Sequence, residues 1–298
     1  MSYRTCVLGG ASLGIAIAAF FAESVLLWLA VAALAVSVAL LLAAATKVLL
    51  GVERFSFLHY QLAAIACVAV VHAPSLDLLA LALAIAQGIG RIGCAHAGCC
   101  HGRPFRAGIR YTRGHVAEHW VGARLIPVQW IESGGLLLLA VAVAFTIGNG
   151  AFVLYATSYA ALRFMTELLR GDRRPHYAGL SEAQWICLAT AIVLAPTTIA
   201  ALLVVAAIAV MRMRRIDVDA FARAVHAARA TSSVANAAGL RISHGRTGDT
   251  EHYTLSAVAP RHTRPLAALL RDLVHPDQRL TLLPRDGGVL HVIVGGAA

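Results

Sequence analysis

Residues 25–50 read VLLWLAVAALAVSVALLLAAATKVLL, and Lys47 carries the only charged side chain in this run. A helix needs about 20 apolar residues to cross a hydrocarbon core that is about 30 Å thick. In lipid the backbone must satisfy its own hydrogen bonds, and a helix does so within one segment. This stretch therefore predicts a membrane-spanning helix, and it decides the fold class of the residues around it.

The rest of the chain has the same composition. It has 298 residues, of which 59% are hydrophobic and 13% are charged, and its mean hydropathy is +0.74. Soluble domains are about 45–50% apolar and about 25% charged. We predict an all-α polytopic membrane protein with about seven transmembrane helices within residues 1–210. The predicted spans are residues 6–22, 25–46, 57–73, 77–93, 131–147, 151–169 and 183–210.

The composition changes after Met211, and residues 211–298 are predicted to form a small soluble α+β domain. Apolar residues at helical spacing predict helices over residues 216–230 and 264–274. Strands are predicted over residues 240–243 and 253–258, and a hairpin joins residues 280–283 to 289–294. The domain contains no chemical motif that we can identify, so its partner is left unknown.

The formal net charge is +10, and almost all of the positive charge is arginine because Lys47 is the only lysine. No basic stripe is interleaved with aromatic residues, so nucleic acid is not expected as a partner. The MRMRR run at residues 211–215 predicts a cytoplasmic C-terminal domain by the positive-inside rule. Seven spans would then place two Arg-rich loops, residues 103–124 and 170–182, on the outside. Either the span count is wrong or these arginines bind an anionic lipid headgroup.

Residues 90–102, GRIGCAHAGCCHG, form the strongest local motif and lie at the end of an apolar span. Arg91 is costly at that depth unless it faces a polar cavity or a partner. The glycines allow backbone and ligand to approach closely. In the alternative interpretation, Arg91 extends to the membrane interface and the glycines only pack helices.

Two further motifs combine charge with helical spacing. Arg163, Glu167 and Arg170 are spaced i, i+4 and i+7, which predicts one shared helical face. They either serve a function or form a structural ion pair between helices.

Residues 127–132, PVQWIE, place Glu132 shortly after a proline that suits a helix start. On their own these residues are typical of a plain helix start.

Five side chains that can bind soft metals lie within eight residues. They do not form a CxxC pair, and adjacent cysteines chelate one ion poorly, so we expect no metal here. Thiol redox chemistry at Cys99 and Cys100 stays open as an alternative. The five residues are Cys94, His96, Cys99, Cys100 and His101.

The order of these motifs over residues 50–210 resembles the prolipoprotein diacylglyceryl transferase family. His59 matches the histidine of the family's histidine-glycine-glycine segment. The chain departs from the family at Cys94, Ala97 and Cys99, where the family has asparagines and a glutamate, and in its extra C-terminal domain. The other matching residues are Gly90, Arg91, Gly93, Gly98 and Gly102; Pro127, Gln129 and Glu132; Arg163, Phe164 and Glu167; and Gly179, Leu180, Ser181 and Gln184.

The resemblance implies a bacterial inner-membrane enzyme with seven spans and no cofactor. Such an enzyme moves a diacylglyceryl group from phosphatidylglycerol to a cysteine thiol of a preprolipoprotein, whose signal peptide it binds. The alternatives are a relative that uses the lipid site for another acceptor, and a non-catalytic lipid-binding membrane protein.

The resemblance also implies roles for individual residues. Arg91 and Arg163 would stabilise the lipid phosphate, and Glu167 would orient Arg163. His59 would accept the proton of the thiol, since imidazole exchanges protons near neutral pH. The remaining predicted residues would bind the substrates; they are Gly90, Gly93, Cys94, Gly98, Gly102, Gln129, Glu132 and Arg170.

Overall fold

A computed structural model gives the structure of the chain, which divides into two compact units. The first unit contains residues 1–96, 129–168 and 175–213, and the second contains residues 97–128, 169–174 and 214–298. Arg113, Arg173 and Arg174 of the Arg-rich loops lie outside the described residues, as do parts of the predicted C-terminal elements. The structure describes residues 3–50, 57–112, 118–172, 176–194, 198–212, 217–231, 235–237, 240–256, 263–274, 278, 280–285 and 289–294.

Apolar helices build the first unit. Two stretches, Val25–Leu49 and Leu58–Ala97, are long and apolar enough to cross a membrane by length and composition, and four shorter apolar helices accompany them. Six of the predicted spans correspond to one helix each, whereas residues 183–210 contain two; the count of seven spans stays a prediction. The helices are α1 Tyr3–Ala19, α2 Val25–Leu50, α3 Phe57–His72, α4 Leu76–Ala97, α5 Val128–Ala144, α6 Ala151–Leu168, α7 Glu182–Leu194 and α8 Thr198–Arg212.

The first four helices run antiparallel to their neighbours along the chain. The Trp28 indole of α2 donates to the Ile15 carbonyl of α1 at 3.0 Å, across the turn that joins these helices. Gln87 of α4 donates to Gln61 of α3 at 2.6 Å, and a short 3-10 turn, Ala73–Ser75, joins α3 to α4. Because both contacts lie at similar distances from their turns, each pair forms a helical hairpin.

The same pattern continues from α4 to α6. Ser133 of α5 donates to the Gly88 carbonyl of α4 at 2.7 Å, near the end of one helix and the start of the other. The Asp77 carboxylate at the start of α4 accepts from the backbone amides of Gly148 and Phe152 at 2.9 and 2.8 Å. The turn between α5 and α6 is therefore anchored at the end of the bundle where α4 begins.

Two side-chain bonds fix the start of α7. The Gln184 backbone amide donates to the Ser181 hydroxyl at 3.3 Å, and the Ser181 amide donates to the Gln184 side-chain oxygen at 3.1 Å. This reciprocal pair is a capping box. A Cβ atom built on Gly179 would lie 3.1 Å from the Cα of Met211. Since Met211 is near the end of α8, α7 and α8 form a hairpin whose two ends meet.

The second unit contains the predicted α+β domain. The helices are α9 Val218–Thr231 and α10 Thr263–Val274, close to the predicted ranges, and they pack beside a five-stranded sheet. The sheet has the order β5-β6-β7-β9-β8, and every neighbouring pair is antiparallel. Its strands are β5 Ala235–Ala237, β6 Leu240–Thr247, β7 Thr250–Ser256, β8 Leu280–Arg285 and β9 Val289–Val294, while short strands elsewhere are β1 Pro104–Arg110, β2 Arg124–Leu125, β3 His176–Tyr177 and β4 Leu180–Ser181.

The core of the second unit joins this domain to the first Arg-rich loop. Trp120 and Leu125 of the loop are buried in one apolar cluster with Phe221 of α9, Ile242 of β6 and Leu270 of α10. The C-terminal elements therefore share a hydrophobic core with residues 97–128. The predicted domain boundary at residue 210 and the cytoplasmic location of the domain stay predictions.

A polar cluster attaches α9 to the sheet. Glu251 on β7 accepts from the Tyr253 hydroxyl at 2.5 Å, and Arg229 of α9 contacts Glu251 at 3.2 Å. His244 of β6 also lies 3.2 Å from this carboxylate. Burial and the hydrogen bond to Glu251 raise the pKa of Tyr253, so its neutral form is favoured. The contacts of this cluster are structural.

The packing of α1 against α4 generates a stability prediction. A Cβ atom at Gly14 would lie 2.5 Å from the Ala82 carbonyl oxygen, whereas a Cβ atom at Gly9 has open space. Gly14→Ala should lower the melting temperature in detergent because overpacking costs about 1–3 kcal/mol. Gly9→Ala is the matched control and should leave it unchanged or higher, since alanine favours helix. Equal melting temperatures of the two variants would contradict this packing.

Candidate active site

The centre of the candidate site is the carboxylate of Glu132 in the first turns of α5. Arg91 of α4 contacts Glu132 Oε2 through Nε at 2.5 Å, and Arg163 of α6 contacts Oε1 through Nη1. Thr166 of α6 donates its hydroxyl to Oε1 at 2.7 Å. The Glu132 side chain is 1% exposed. One buried carboxylate thus joins three helices.

A second carboxylate extends this arrangement. Arg163 Nη2 lies 2.8 Å from Glu167 Oε2, and the two residues are spaced i, i+4 on α6. Both side chains are buried. Arg91, Glu132, Arg163 and Glu167 therefore form a continuous chain of alternating charges whose formal sum is zero. Such neutrality is needed where solvent is scarce, because an unpaired buried charge costs several kcal/mol.

The Arg91 side chain also lines a cavity of about 90 Å³ in the first unit. Most of its wall is apolar, and the lining residues with polar side chains are Arg91, Gln87, Cys94, Tyr3 and Tyr159. Among the residues that the structure describes, Arg91 is part of this lining and Arg163 is not. The lining residues are Tyr3, Val7, Ala11, Ala86, Gln87, Gly90, Arg91, Cys94 and Tyr159.

The glycines of residues 90–102 have different local roles. A Cβ atom at Gly93 would lie 2.7 Å from Cys6 Cβ, so Gly93 allows α1 to pack on α4. A Cβ atom at Gly90 would meet only Val7, at 3.8 Å, and this glycine faces the cavity. Gly98 has a φ of 68°, a conformation that favours glycine. The helix-packing interpretation therefore holds for Gly93, and the close approach of a ligand at Gly90 stays a prediction.

Backbone hydrogen bonds fix the end of this motif in the second unit. The Gly102 amide donates to the Ile126 carbonyl at 3.0 Å, and the Arg103 amide donates to the Leu169 carbonyl at 2.9 Å. The Gly171 amide donates to the His101 carbonyl at 3.1 Å. Residues 101–103 thus lie between two other loop segments of the same unit.

The predicted helical face of three charged residues is wrong for Arg170. Helix α6 ends at Leu168, and Arg170 forms an isolated β-bridge with Gly102. Its guanidinium contacts both carboxylate oxygens of Asp172, at 2.8 and 3.0 Å. The physical reason is that the helix ends before the third residue of the i, i+4, i+7 pattern, and the shared face holds for Arg163 and Glu167.

The structure places the remaining predicted residues as follows. His59 of α3 lies 2.9 Å from Glu182 at the start of α7, and its side chain is partly buried. Gln129 is fully buried on α5, two residues from the motif's proline. Cys94 is a buried thiol on the cavity wall, whereas the Cys99 thiol is exposed. The absence of a metal at the Cys/His cluster stays a prediction.

Several site residues had no chemical motif in the sequence. Thr166 is spaced i+3 from Arg163, and Gln87 is spaced i−4 from Arg91, so helical spacing could have identified both. Gln87 and Gln61 also donate to the Tyr155 hydroxyl, at 2.8 and 2.7 Å, in a buried network. Helical spacing cannot show that Tyr3 of α1 lies on the same cavity, because that depends on helix packing.

Comparisons with known proteins support the family resemblance that the sequence motifs indicate. A family model for prolipoprotein diacylglyceryl transferase matches residues 56–203. The phosphatidylglycerol–prolipoprotein diacylglyceryl transferase of Clostridium tetani is 37% identical over 125 residues, which cover 40% of this chain and 49% of the relative. The phosphatidylglycerol–prolipoprotein diacylglyceryl transferase 2 of Clostridium perfringens is 36% identical over 117 residues, which cover 37% of this chain and 45% of the relative.

The chain thus spans about half the length of these two relatives. No solved structure matches the chain significantly. The matched segment contains α3 to α7 and, with them, all four charged residues of the Glu132 site. Through residues 56–203, the chain belongs to the prolipoprotein diacylglyceryl transferase family.

Proposed function

We propose that the protein transfers a diacylglyceryl group from phosphatidylglycerol to the cysteine thiol of a preprolipoprotein at the bacterial inner membrane. The observation that carries the proposal is a cation at the cavity: Arg91 lines the cavity, and the Glu132 carboxylate contacts its guanidinium and orients it. The names of the relatives give the donor and the acceptor class.

The reaction makes one bond and breaks one. The cysteine sulfur attacks the glycerol carbon that carries the phosphate, so a sulfur–carbon bond forms. The carbon–oxygen bond to the phosphate breaks, and the leaving group is glycerol phosphate, which takes the electron pair. The thiol proton passes to a base. Negative charge therefore grows on the phosphate oxygen in the transition state, where a fixed cation stabilises it most.

We infer different roles for the two arginines. Arg91 is 17% exposed and lines the cavity, so it contacts the phosphate. Arg163 is 5% exposed and bonds both Glu132 and Glu167, so it positions Arg91 through Glu132. The Glu132 carboxylate holds the planar Arg91 guanidinium in one orientation through its Nε edge. This preorganisation avoids a rearrangement when the phosphate charge develops.

His59 is the proposed proton acceptor. It lies on α3 two residues before Gln61, which bonds Gln87, one helical turn before Arg91. His59 is therefore near the end of the bundle where the Glu132 site lies. Its Nε2 contacts the Glu182 carboxylate at 2.9 Å, which fixes the orientation of the ring and stabilises the imidazolium that proton transfer would form.

The first test is lipidation of a lipobox peptide by the purified full-length protein in detergent, with phosphatidylglycerol as the lipid. The peptide should gain the mass of one diacylglyceryl group. Arg91→Ala should lower the rate about 100-fold or more, because it removes the cation at the phosphate.

The control for this test is Arg246→Ala at an exposed position near the end of β6, and it should keep the full rate. Full activity of a folded Arg91→Ala variant would contradict the proposed role. If the wild-type protein binds phosphatidylglycerol but never modifies the peptide, the lipid site serves another acceptor.

Glu132→Gln should destabilise the protein. It removes the negative charge that Arg91 and Arg163 share, and of the two carboxylates in this chain of charges it leaves that of Glu167. The expected loss of unfolding free energy is about 3–5 kcal/mol. Thermal unfolding in detergent measures the loss as a lower melting temperature. Glu182→Gln is the matched control, since Glu182 is 53% exposed and its ion pair should contribute less than about 1 kcal/mol. Similar melting temperatures for both variants would argue against a buried ionic centre.

His59→Gln should lower the transfer rate at pH 7 by about 100-fold or more, because a positioned base contributes at least that much. Raising the pH from 7 to 9 increases the thiolate fraction of an ordinary cysteine, whose pKa is about 8.5, by about 25-fold. The variant should recover in proportion, whereas the wild-type rate should rise less. A pH profile that is parallel for both proteins would exclude His59 as the base.

A further inference from the structure

The second unit joins an internal loop to the C-terminal domain through a buried apolar interface. Tyr111, Trp120, Ala123 and Leu125 of the loop belong to the same buried cluster as residues of α9, α10 and the sheet. Trp120 is 2% exposed and Leu125 is fully buried. Aromatic side chains buried in this way provide most of the energy of an interface. The loop is therefore part of the domain's core.

A line of polar and aromatic contacts crosses the same interface. His119 Nε2 lies 2.9 Å from Asp219 Oδ1 in the first turn of α9, and each of these side chains is 14% exposed. The Trp120 ring lies edge-on to His101, with 5.0 Å between ring centroids, and 5.2 Å from His119. His101 is the penultimate residue of the motif at residues 90–102. The contacts thus connect that motif to the C-terminal domain within the second unit.

The directions of the helices in the first unit determine at which end of the bundle each connecting segment lies. Helices α1 to α6 alternate in direction, so residues 97–127 and 169–181 leave the bundle at the same end. Helices α7 and α8 form a hairpin, because Gly179 lies against Met211. The chain therefore ends α8 on the side where α7 began.

The charges in the sequence follow the same alternation. This path places Arg4, Lys47, the arginines that the structure describes in both Arg-rich loops, and the end of α8, where the MRMRR run begins, on one side. The connections on the other side, residues 20–24, 73–77 and 145–150, contain no lysine or arginine. Basic residues concentrate on one side of a membrane. A single seventh span would instead place the MRMRR run on the side opposite to Arg4, Lys47 and the Arg-rich loops.

We propose that the C-terminal domain lies on the same side of the membrane as residues 97–128 and is docked on this loop as its permanent partner. The domain thereby holds the segment that follows the motif at residues 90–102 in one conformation. A second segment of this chain, and no separate protein, covers the apolar face formed by α9 and α10. The inference does not depend on the proposed transferase reaction.

Sided labelling tests the topology with the full chain in membrane vesicles. Three exposed positions are each changed to cysteine in a Cys99→Ser/Cys100→Ser background: Arg106 in the loop, Arg246 in the domain and Asn149 in the turn between α5 and α6. A membrane-impermeant maleimide is applied to right-side-out and inside-out vesicles. The Arg106→Cys and Arg246→Cys proteins should label in the same vesicle type, and the Asn149→Cys protein in the other. Labelling of Arg246→Cys together with Asn149→Cys would overturn the proposal.

Limited trypsin digestion of the detergent-solubilised protein tests the docking itself. Trp120→Ala should release a C-terminal tag at least about tenfold faster than the wild type, since truncating a buried aromatic residue leaves a cavity in the shared core. Trp130→Ala, at a tryptophan that is 45% exposed on α5, is the matched control and should not change the rate. Equal release from the wild type and both variants would show that the domain does not depend on the loop.

Discussion

A carboxylate buried between two guanidinium groups joins three helices of the first unit: Glu132 on α5 contacts Arg91 on α4 and Arg163 on α6. Each of these charges would be costly at this depth without the others. Because the carboxylate has two oxygens, it can hold one arginine on each side, and Arg91 is the one that also lines the cavity. The helices must therefore keep their register for the site to remain neutral.

The close packing of small residues maintains that register. Gly14 and Gly93 allow α1 to lie against α4, and Ser133 bonds the Gly88 carbonyl where α5 crosses α4. Lipid supplies little hydrophobic force between helices, so close approach and interhelical hydrogen bonds must do so. A glycine pattern that resembles a ligand-binding motif in the sequence is thus largely a packing requirement, and Gly90 is the glycine of the helical part that faces the cavity.

Sequence reasoning predicted the apolar helices and the Arg163–Glu167 pair, since both follow from periodicity along one segment. It favoured a plain helix start for Glu132, because its two partners lie 41 and 31 residues away and only the packing of α4 and α6 brings them together. Arg170 satisfied helical spacing, yet α6 ends before it. Pro196 interrupts the long apolar run of residues 183–210, and this was a usable signal for the break between α7 and α8.

With seven spans, the MRMRR run and the two Arg-rich loops give opposite orientations by the positive-inside rule. The break between α7 and α8 accounts for this conflict. One long helix carries its two ends to opposite sides, whereas a hairpin returns both ends to the same side, so a single interruption reverses the location of everything that follows. The interface of Trp120 with α9 reaches the same conclusion from the second unit, because residues that share a buried core cannot lie on opposite sides of a membrane. Two independent sets of contacts, one in each unit, thus favour a C-terminal domain on the side of the Arg-rich loops.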